Sequence, residues 1–325
     1  MTARPGMRVK RPGLQTTLQD WPGRVGYWNV GIPPSGPMDS LSFRLANRLV
    51  GNEPGEVGIE FQFLGPELEF LADASVAIVG GKCGATLDGE PFPTGKVVAI
   101  RKGQCLNCGP VLQGARAYLA VAGGFAIPST LGSCATFPRA KIGGATLAAD
   151  MELQFADPTV RRVGYTANCG ESHLDCKVIE VVAGPHLDWL SKHGLETLVG
   201  GSWKVSSRMD RTGIRLEGPS LDFSTRAHQK APEHGADASN VINTGYPIGG
   251  VNICGGTPII LPCDGPSQGG FITPIVVASA ALRKVGQLRP NQVISFQRIT
   301  LEEAVALHRA SEQLAHSGLI ETRHA

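Results

Sequence analysis

GPELEFLADASVAIVGG, residues 65–81, decides the fold class. Within the strand predicted at 67–71, residues 67–70 alternate charged and apolar side chains, the period-2 signature of a strand with one face buried. Residues 75–79 are short, apolar and rich in Val and Ile, as a strand buried on both faces would be. Gly65-Pro66 and Gly80-Gly81 bracket the pair as turn signals. Working outward, the same signature recurs at 96–100, 115–121, 177–182, 213–216, 258–261, 272–277 and 292–297, with turns at Asp88-Gly89 and Gly123-Gly124. The 42 Gly and 23 Pro show no repeat period. Short strands with frequent turns predict a mainly β chain of barrels or sandwiches rather than a βαβ sheet. Gly80-Gly81-Lys82-Cys83-Gly84 lacks the spacing of a phosphate loop and reads as a turn at a strand end.

Two helices stand out. One is predicted over Ser40–Leu49, with Asp39 as its cap, Leu41, Leu45 and Leu49 on one face and Gly51 just beyond its end. The other starts at Thr300, where Thr300 and Glu303 fit a capping box, and is predicted to turn Leu301, Val305, Leu307 and Leu314 inward. The tail after about Gly318 is polar and is predicted to lack fixed structure. The polar stretch 157–175 suggests a division into residues 1–165 and 166–325, two β-rich subdomains.

A chain of 325 residues with 42% hydrophobic and 18% charged residues can bury a large core. Its 30 basic and 28 acidic residues are spread without like-charge runs, so nothing favours nucleic acid or an anionic membrane as a partner. No apolar run is long enough to span a bilayer, and residues 1–10 lack the core of a signal peptide, so a cytoplasmic location is expected. The eight cysteines then read as reduced thiols. Cys105 and Cys108 form a single C-x-x-C with no second ligand pair, so no metal site is expected.

Three loops carry polar chemistry. GIPPSGPMD, residues 31–39, leads into the first helix; it reads either as a rigid lead-in or as backbone N–H groups facing an anion. In SNVINTGYP, residues 239–247, Asn240 both donates and accepts, which suits a neutral amide; Ser239 stands beside it, and an Asx turn is the competing reading. In CDGPSQGG, residues 263–270, Asp264 and Ser267 are candidate substrate contacts. Gly269-Gly270 is a candidate N–H cradle for an oxyanion or ureido oxygen. No G-x-S-x-G surrounds Ser267, which argues against a nucleophile. Of the isolated histidines His186 and His234, the latter is the better candidate, being close to Asn240.

The segments PGLQTTLQDWPGRVGYWNVGIPPSGPMD (12–39), FRLANRLVGN (43–52), YLAVAGGF (118–125), RTGIRLEGP (211–219) and the block 239–290 resemble the biotin-dependent carboxyltransferase family. That family contains the carboxyltransferase region of urea carboxylase, allophanate hydrolase subunit 2 and the KipA/PxpC-like proteins. IPPSGPMD, INTGYPIGGVN, CDGPSQGGF and KVGQLRP tilt the resemblance toward urea carboxylase. The resemblance implies two cyclophilin-like β-barrel subdomains with few short helices. It implies transfer of a carboxyl group from carboxybiotin to the nitrogen of urea or a urea-like amide, together with a homologous partner half (allophanate hydrolase subunit 1, KipI/PxpB-like) that supplies a lysine and an acidic residue.

No Met-Lys biotin attachment pair is present, so the biotin carrier and the ATP-using biotin carboxylase are expected on other chains, and this chain is expected to be inactive alone. By position, Asn240 matches the asparagine this half contributes to the substrate pocket. Ser239, Asp264 and Ser267 are assigned to substrate, and Gly269 and Gly270 to biotin. Where urea carboxylases carry S-N-[IV]-H-D, this chain has Ile242 and Asn243 in the last two places, leaving urea, a guanidine-like compound or 5-oxoproline open as substrate. Two alternatives follow from the same family: the PxpC-type component of an ATP-dependent 5-oxoprolinase, and a non-catalytic KipA-like regulator that binds a kinase inhibitor.

Overall fold

The structure is a computed structural model that describes residues 6–167, 174–318 and 320–322. Strand makes up 38% and helix 19%, so the chain is mainly β with few short helices. It divides into two compact units. One comprises the described residues within Met1–Val25, Pro34–Leu174 and Glu312–Ala325, the other Gly26–Pro33 and Asp175–Ser311.

In the first unit, Thr17–Gln19, Gly58–Gln62, Val111–Val121, Ala74–Cys83 and Val98–Ile100 form a five-stranded sheet in that order. A six-stranded sheet runs Glu152–Gln154, Gly6–Arg11, Glu67–Phe70, Cys105–Asn107, Thr86–Leu87, Glu90–Pro91. Alternate residues of both sheets, among them Met7, Leu68, Phe70, Val76, Ile78 and Leu119, meet in one buried cluster. The other face of the five-stranded sheet packs the helix Ser40–Leu49 through Leu41, Phe43, Leu45 and Leu49, with Phe43 edge-on to Tyr118 at 5.9 Å. This helix has its expected bounds. Asp39 caps it through Ser42 N–H at 3.0 Å, and Gly51 takes φ +83° past its end.

The turn expected at Gly80–Gly84 is instead a continuation of the strand Ala74–Cys83. Gly80, at φ +112°, absorbs a bulge against Val111–Val121, so pairing resumes at Lys82 and Cys83.

The second unit holds an eight-stranded sheet ordered Val178–Ala183, Val293–Arg298, Trp203–Met209, Ile214–Glu217, Thr257–Ile260, Gly250–Cys254, Gln268–Val277, Asn240–Gly245. Pairing is antiparallel except between the first two. A further antiparallel pairing joins Val178–Ala183 to Gln268–Val277, the first strand of that order to the seventh. Asn240–Gly245 stands outside this cycle, bonded on one side to Gln268–Val277.

The helix Leu301–Gln313 begins with the expected capping box: Thr300 N–H donates to Glu303 Oε2 at 2.8 Å and Glu303 N–H to Thr300 Oγ1 at 3.2 Å. Its expected inward face is a correction. Leu301 is 67% exposed, and Val305, Leu307 and Leu314 are exposed as well. Apolar spacing defines a stripe, but tertiary packing decides whether anything covers it. Residues 168–173 of the expected boundary, and the tail beyond Gly318 apart from 320–322, lie outside the described residues.

Among the described residues no helix is long and apolar enough to cross a membrane, and no group of three or more His, Cys, Asp or Glu could hold a metal. The described cysteines are free. Burial pushes Cys83 up to about 12 and Cys105 up to about 11, so neither is a ready thiolate.

Candidate functional site

The first loop resolves toward the rigid lead-in. Gly36 N–H donates to Gln19 Oε1 (3.1 Å), Met38 N–H to Glu60 Oε2 (2.8 Å) and Asp39 N–H to the Tyr118 hydroxyl (2.7 Å). Asp39 is fully buried, and its second oxygen accepts from Ser42 Oγ at 2.6 Å. The N–H groups that would face an anion are consumed by buried acceptors, and a carboxylate already sits at the helix start.

In the second loop, the turn chemistry belongs to Asp237 rather than Asn240. Asp237 Oδ1 accepts from Ser239 N–H (2.8 Å) and Ser239 Oγ (2.6 Å), which draws the Asp237 carboxyl below its ordinary range. Ser239 is fully buried, and its Oγ also accepts from Gly255 N–H at 3.1 Å. It ties the loop to the turn at Gly255 and presents no free hydroxyl.

Asn240 is half-buried at the start of the edge strand Asn240–Gly245. Its N–H donates to Asp237 C=O (3.0 Å), while its side-chain carboxamide makes no hydrogen bond with the described residues. Gly235, at φ +80°, leaves room beside it: a Cβ there would stand 3.1 Å from Asn240 Nδ2.

An edge strand exposes backbone groups to solvent, and here two side chains cover them. Lys230 Nζ donates to Asn240 C=O at 2.8 Å and to Asp237 C=O. Ile242 N–H donates to His234 Nδ1 at 3.1 Å, which puts the proton of the neutral ring on Nε2. Both side chains converge on Trp189, with Lys230 Nζ 5.8 Å from its ring centroid and the His234 ring at 5.9 Å. Arg226, paired to Asp188, lies over the same ring at 5.5 Å, and His186 meets it edge-on at 6.0 Å. His186 Nδ1 accepts from Thr273 N–H (3.0 Å), and burial lowers its pKa against the pull of Asp188. Burial likewise lowers Lys230, opposed by Asp237. Ile242 and Asn243 both turn their side chains outward.

In the third loop, Asp264 is 3% exposed and both its oxygens face Arg211, Oδ2 at 2.7 Å from Nε and Oδ1 at 3.3 Å from Nη2. Its N–H also donates to Arg211 C=O at 3.0 Å. This geometry braces the turn and leaves no carboxylate oxygen pointing outward. Ser267 is half-buried, and its carbonyl accepts from Tyr246 N–H at 2.8 Å. Among the described residues no histidine is bonded to its hydroxyl.

The N–H cradle expected at Gly269-Gly270 does not take the form of a nest. Both glycines belong to the strand Gln268–Val277, where successive N–H groups point to opposite sides, and neither has the positive φ of an anion-binding nest. Gly269 is required for another reason: a Cβ there would lie 2.7 Å from the Tyr246 ring. The Tyr246 hydroxyl in turn accepts from Phe271 N–H at 2.7 Å, opposite Asn240 in the ladder.

The strand Gln268–Val277 thus joins Phe271 opposite Asn240, Gly269 under Tyr246 and Thr273 bonded to His186. His234 meets the strand that carries Asn240 two residues along, at Ile242 N–H. Trp189, Lys230, Arg226 and His186 were not legible as one group, because 186–189 and 226–230 are two short segments far apart in sequence that only the fold brings together.

Residues 30–298 match the family described as carboxyltransferase domain, subdomain A and B. The chain is 36% identical over 319 residues to the urea amidolyase of Saccharomyces cerevisiae, covering 94% of this chain and 17% of that protein. It is 30% identical over 315 residues to the Escherichia coli 5-oxoprolinase component designated C, covering 95% and 97%. The crystal structure of the K. lactis urea amidolyase superposes with a TM-score of 0.89 at 35% identity, covering 97% of this chain and 20% of that one. The chain therefore spans about a fifth of the length of the urea amidolyases it matches, and nearly all of the 5-oxoprolinase component. Its site geometry rests on a fold shared along almost its whole length with these proteins, and the chain belongs to the carboxyltransferase domain family.

Proposed function

We propose that this chain is one half of a biotin-dependent carboxyltransferase that moves a carboxyl group onto the nitrogen of urea or a urea-like amide, acting with a homologous partner half. The observation that carries the reading is the Asn240 carboxamide, which has no hydrogen bond among the described residues and stands on a strand edge whose backbone Lys230 and His234 hold. An amide or ureido group presents one acceptor and N–H donors, and a carboxamide matches both without desolvating a charge. The site fits a ureido or amide group at Asn240. At Gly269-Gly270 any contact with the ureido group of biotin would come from a strand edge rather than from a turn.

Carboxybiotin, attached to another chain and loaded by a separate biotin carboxylase, would supply the carboxyl group. The work of this chain is orientation. Asn240 holds the substrate amide, whose delocalised lone pair makes nitrogen a poor nucleophile, and alignment in well-placed systems contributes on the order of 7–11 kcal/mol. Ser239, Asp264 and Ser267 act by shaping the loops around Asn240. The two compact units correspond, in this proposal, to the two carboxyltransferase subdomains, and the cyclic order of strand pairing in the second supports a barrel.

A second reading is the PxpC-type component of a 5-oxoprolinase, favoured by end-to-end coverage of that protein. Its substrate presents a neutral amide group as well, here within a ring, so Asn240 serves either. The test is reconstitution with the homologous half, biotin carboxylase and carrier. Carboxylation of urea or a guanidine-like compound, dependent on all components, supports the proposal. ATP-dependent opening of 5-oxoproline without biotin supports the second reading. Tight partner binding with no turnover of any substrate rejects both in favour of a regulator.

A further inference from the structure

In the eight-stranded sheet, the strands Trp203–Met209 and Ile214–Glu217 are out of step. Val205 pairs with Leu216 and Met209 with Ile214, so residues 206–208 bulge against the single residue Arg215. A bulge of this kind re-aims side chains locally. Here it brings Ser206 and Arg208 to line one cleft with Arg215 and Glu217, with a volume of about 250 Å3.

The floor is Trp203, 1% exposed and held by its Nε1 donating to Leu198 C=O at 2.9 Å. Gly218 is fitted to that floor, since a Cβ there would stand 2.5 Å from the indole. Glu217 is already taken by Lys204 at 2.9 Å and by a hydrogen bond from Ser206. Among the described residues neither the Arg208 nor the Arg215 guanidinium makes a hydrogen bond or a direct ion pair, although Arg208 lies close enough to Glu217 to help draw its carboxyl down and Arg215 acts in the same way on Cys254. The cleft is therefore lined by Arg208 and Arg215 against the single carboxylate of Glu217, which Lys204 already pairs from beside it.

We infer that this cleft binds a small oxyanion, a carboxylate or phosphate group, between the guanidinium groups of Arg208 and Arg215. Each guanidinium presents a planar fork that matches such a group bidentately, and both forks here are unused. Ser206 Oγ and the indole floor limit the space to a small ligand. The turn at 255–256 lines the cleft through Gly256 and donates Gly255 N–H to Ser239 Oγ, next to Asn240. The site is independent of the proposed carboxyl transfer and needs no partner half.

Calorimetric titration of the full chain with inorganic phosphate, and separately with citrate, tests it. Ionic strength is held constant with NaCl so that screening alone gives no signal. One saturable site for either anion is expected, phosphate or citrate identifying the preferred group. Arg208→Gln and Arg215→Gln should each weaken it roughly ten-fold or more, as loss of a charge-assisted fork would. Lys102→Gln, an exposed charge in the other unit, should leave it unchanged. Both arginines are exposed, so unchanged thermal midpoints verify that the variants are folded. Absence of saturation by both anions, or undiminished affinity in both arginine variants, overturns the inference.

Discussion

Replacing Asp264 with alanine would leave the Arg211 guanidinium buried beside an empty space. The two side chains, Arg211 and Asp264, are 7% and 2% exposed, and the contact is two-pronged, at 2.7 and 3.3 Å. Breaking a buried pair from one side costs about 3–5 kcal/mol, because the surviving charge loses that carboxylate and cannot replace it with water. Arg211 keeps a contact to Cys263 Sγ at 3.2 Å, so the lower end, about 3 kcal/mol, is expected. For a unit of this size that corresponds to a fall of roughly 6–12 °C in thermal midpoint. The assay is thermal and urea unfolding followed by the fluorescence of Trp189 and Trp203, which both lie in the second unit. The double variant Arg211→Met/Asp264→Leu removes both charges together and should recover most of the loss. A cost below about 1 kcal/mol for Asp264→Ala, or a double variant as unstable as the sum of the singles, would refute the reasoning that Asp264 braces the turn.

Three further outcomes are expected. Gly269→Ala should destabilise by about 1–3 kcal/mol through overpacking against Tyr246, and the cost should shrink in a Tyr246→Leu background; equal cost in both would remove the packing explanation. Lys230→Met should speed amide hydrogen exchange across residues 240–245 while leaving the remaining strands protected, since its ammonium holds Asn240 and Asp237 from the open edge. His186 titrates below its ordinary 6.5 in the folded chain, so the unfolded chain binds more protons there; stability is full above 6.5 and falls as pH drops toward the lower folded value. His186→Asn keeps an acceptor for Thr273 N–H and does not titrate, so the thermal midpoint between about pH 7 and 5 should flatten; an unchanged slope would assign it to other groups.

Features set by neighbours in sequence were legible before the structure. Asp39 and Gly51 mark the ends of Ser40–Leu49, and Thr300 and Glu303 start the last helix, because caps act over three or four residues. Strands such as 67–71 and 272–277 declared themselves by pattern. What depends on distant contacts did not. The outward turn of Leu301 and Val305 reflects which elements pack against that helix, and the strand through Gly80 reflects a bulge matched on Val111–Val121. Gly-Gly at 269–270 resembled a turn, yet its first glycine answers to the ring of Tyr246 across the ladder. The cluster at Asn240 draws on His186, Trp189, Arg226, Lys230 and His234, gathered by tertiary folding alone. The helix Lys192–Gly200 carried no clear signal, since Gly194 and Gly200 weaken its propensity while Ser191 supplies the cap.

The central claim is that the Asn240 carboxamide orients the amide being carboxylated. Its most direct test compares Asn240→Ala with the wild-type chain in the reconstituted system, measuring substrate-dependent carboxyl transfer beside the thermal midpoint. The carboxamide bonds to nothing else among the described residues, so the midpoint should hold while transfer falls by roughly 10²-fold or more, as when a positioned donor is removed elsewhere. A folded Asn240→Ala chain that transfers carboxyl at the wild-type rate would contradict the account.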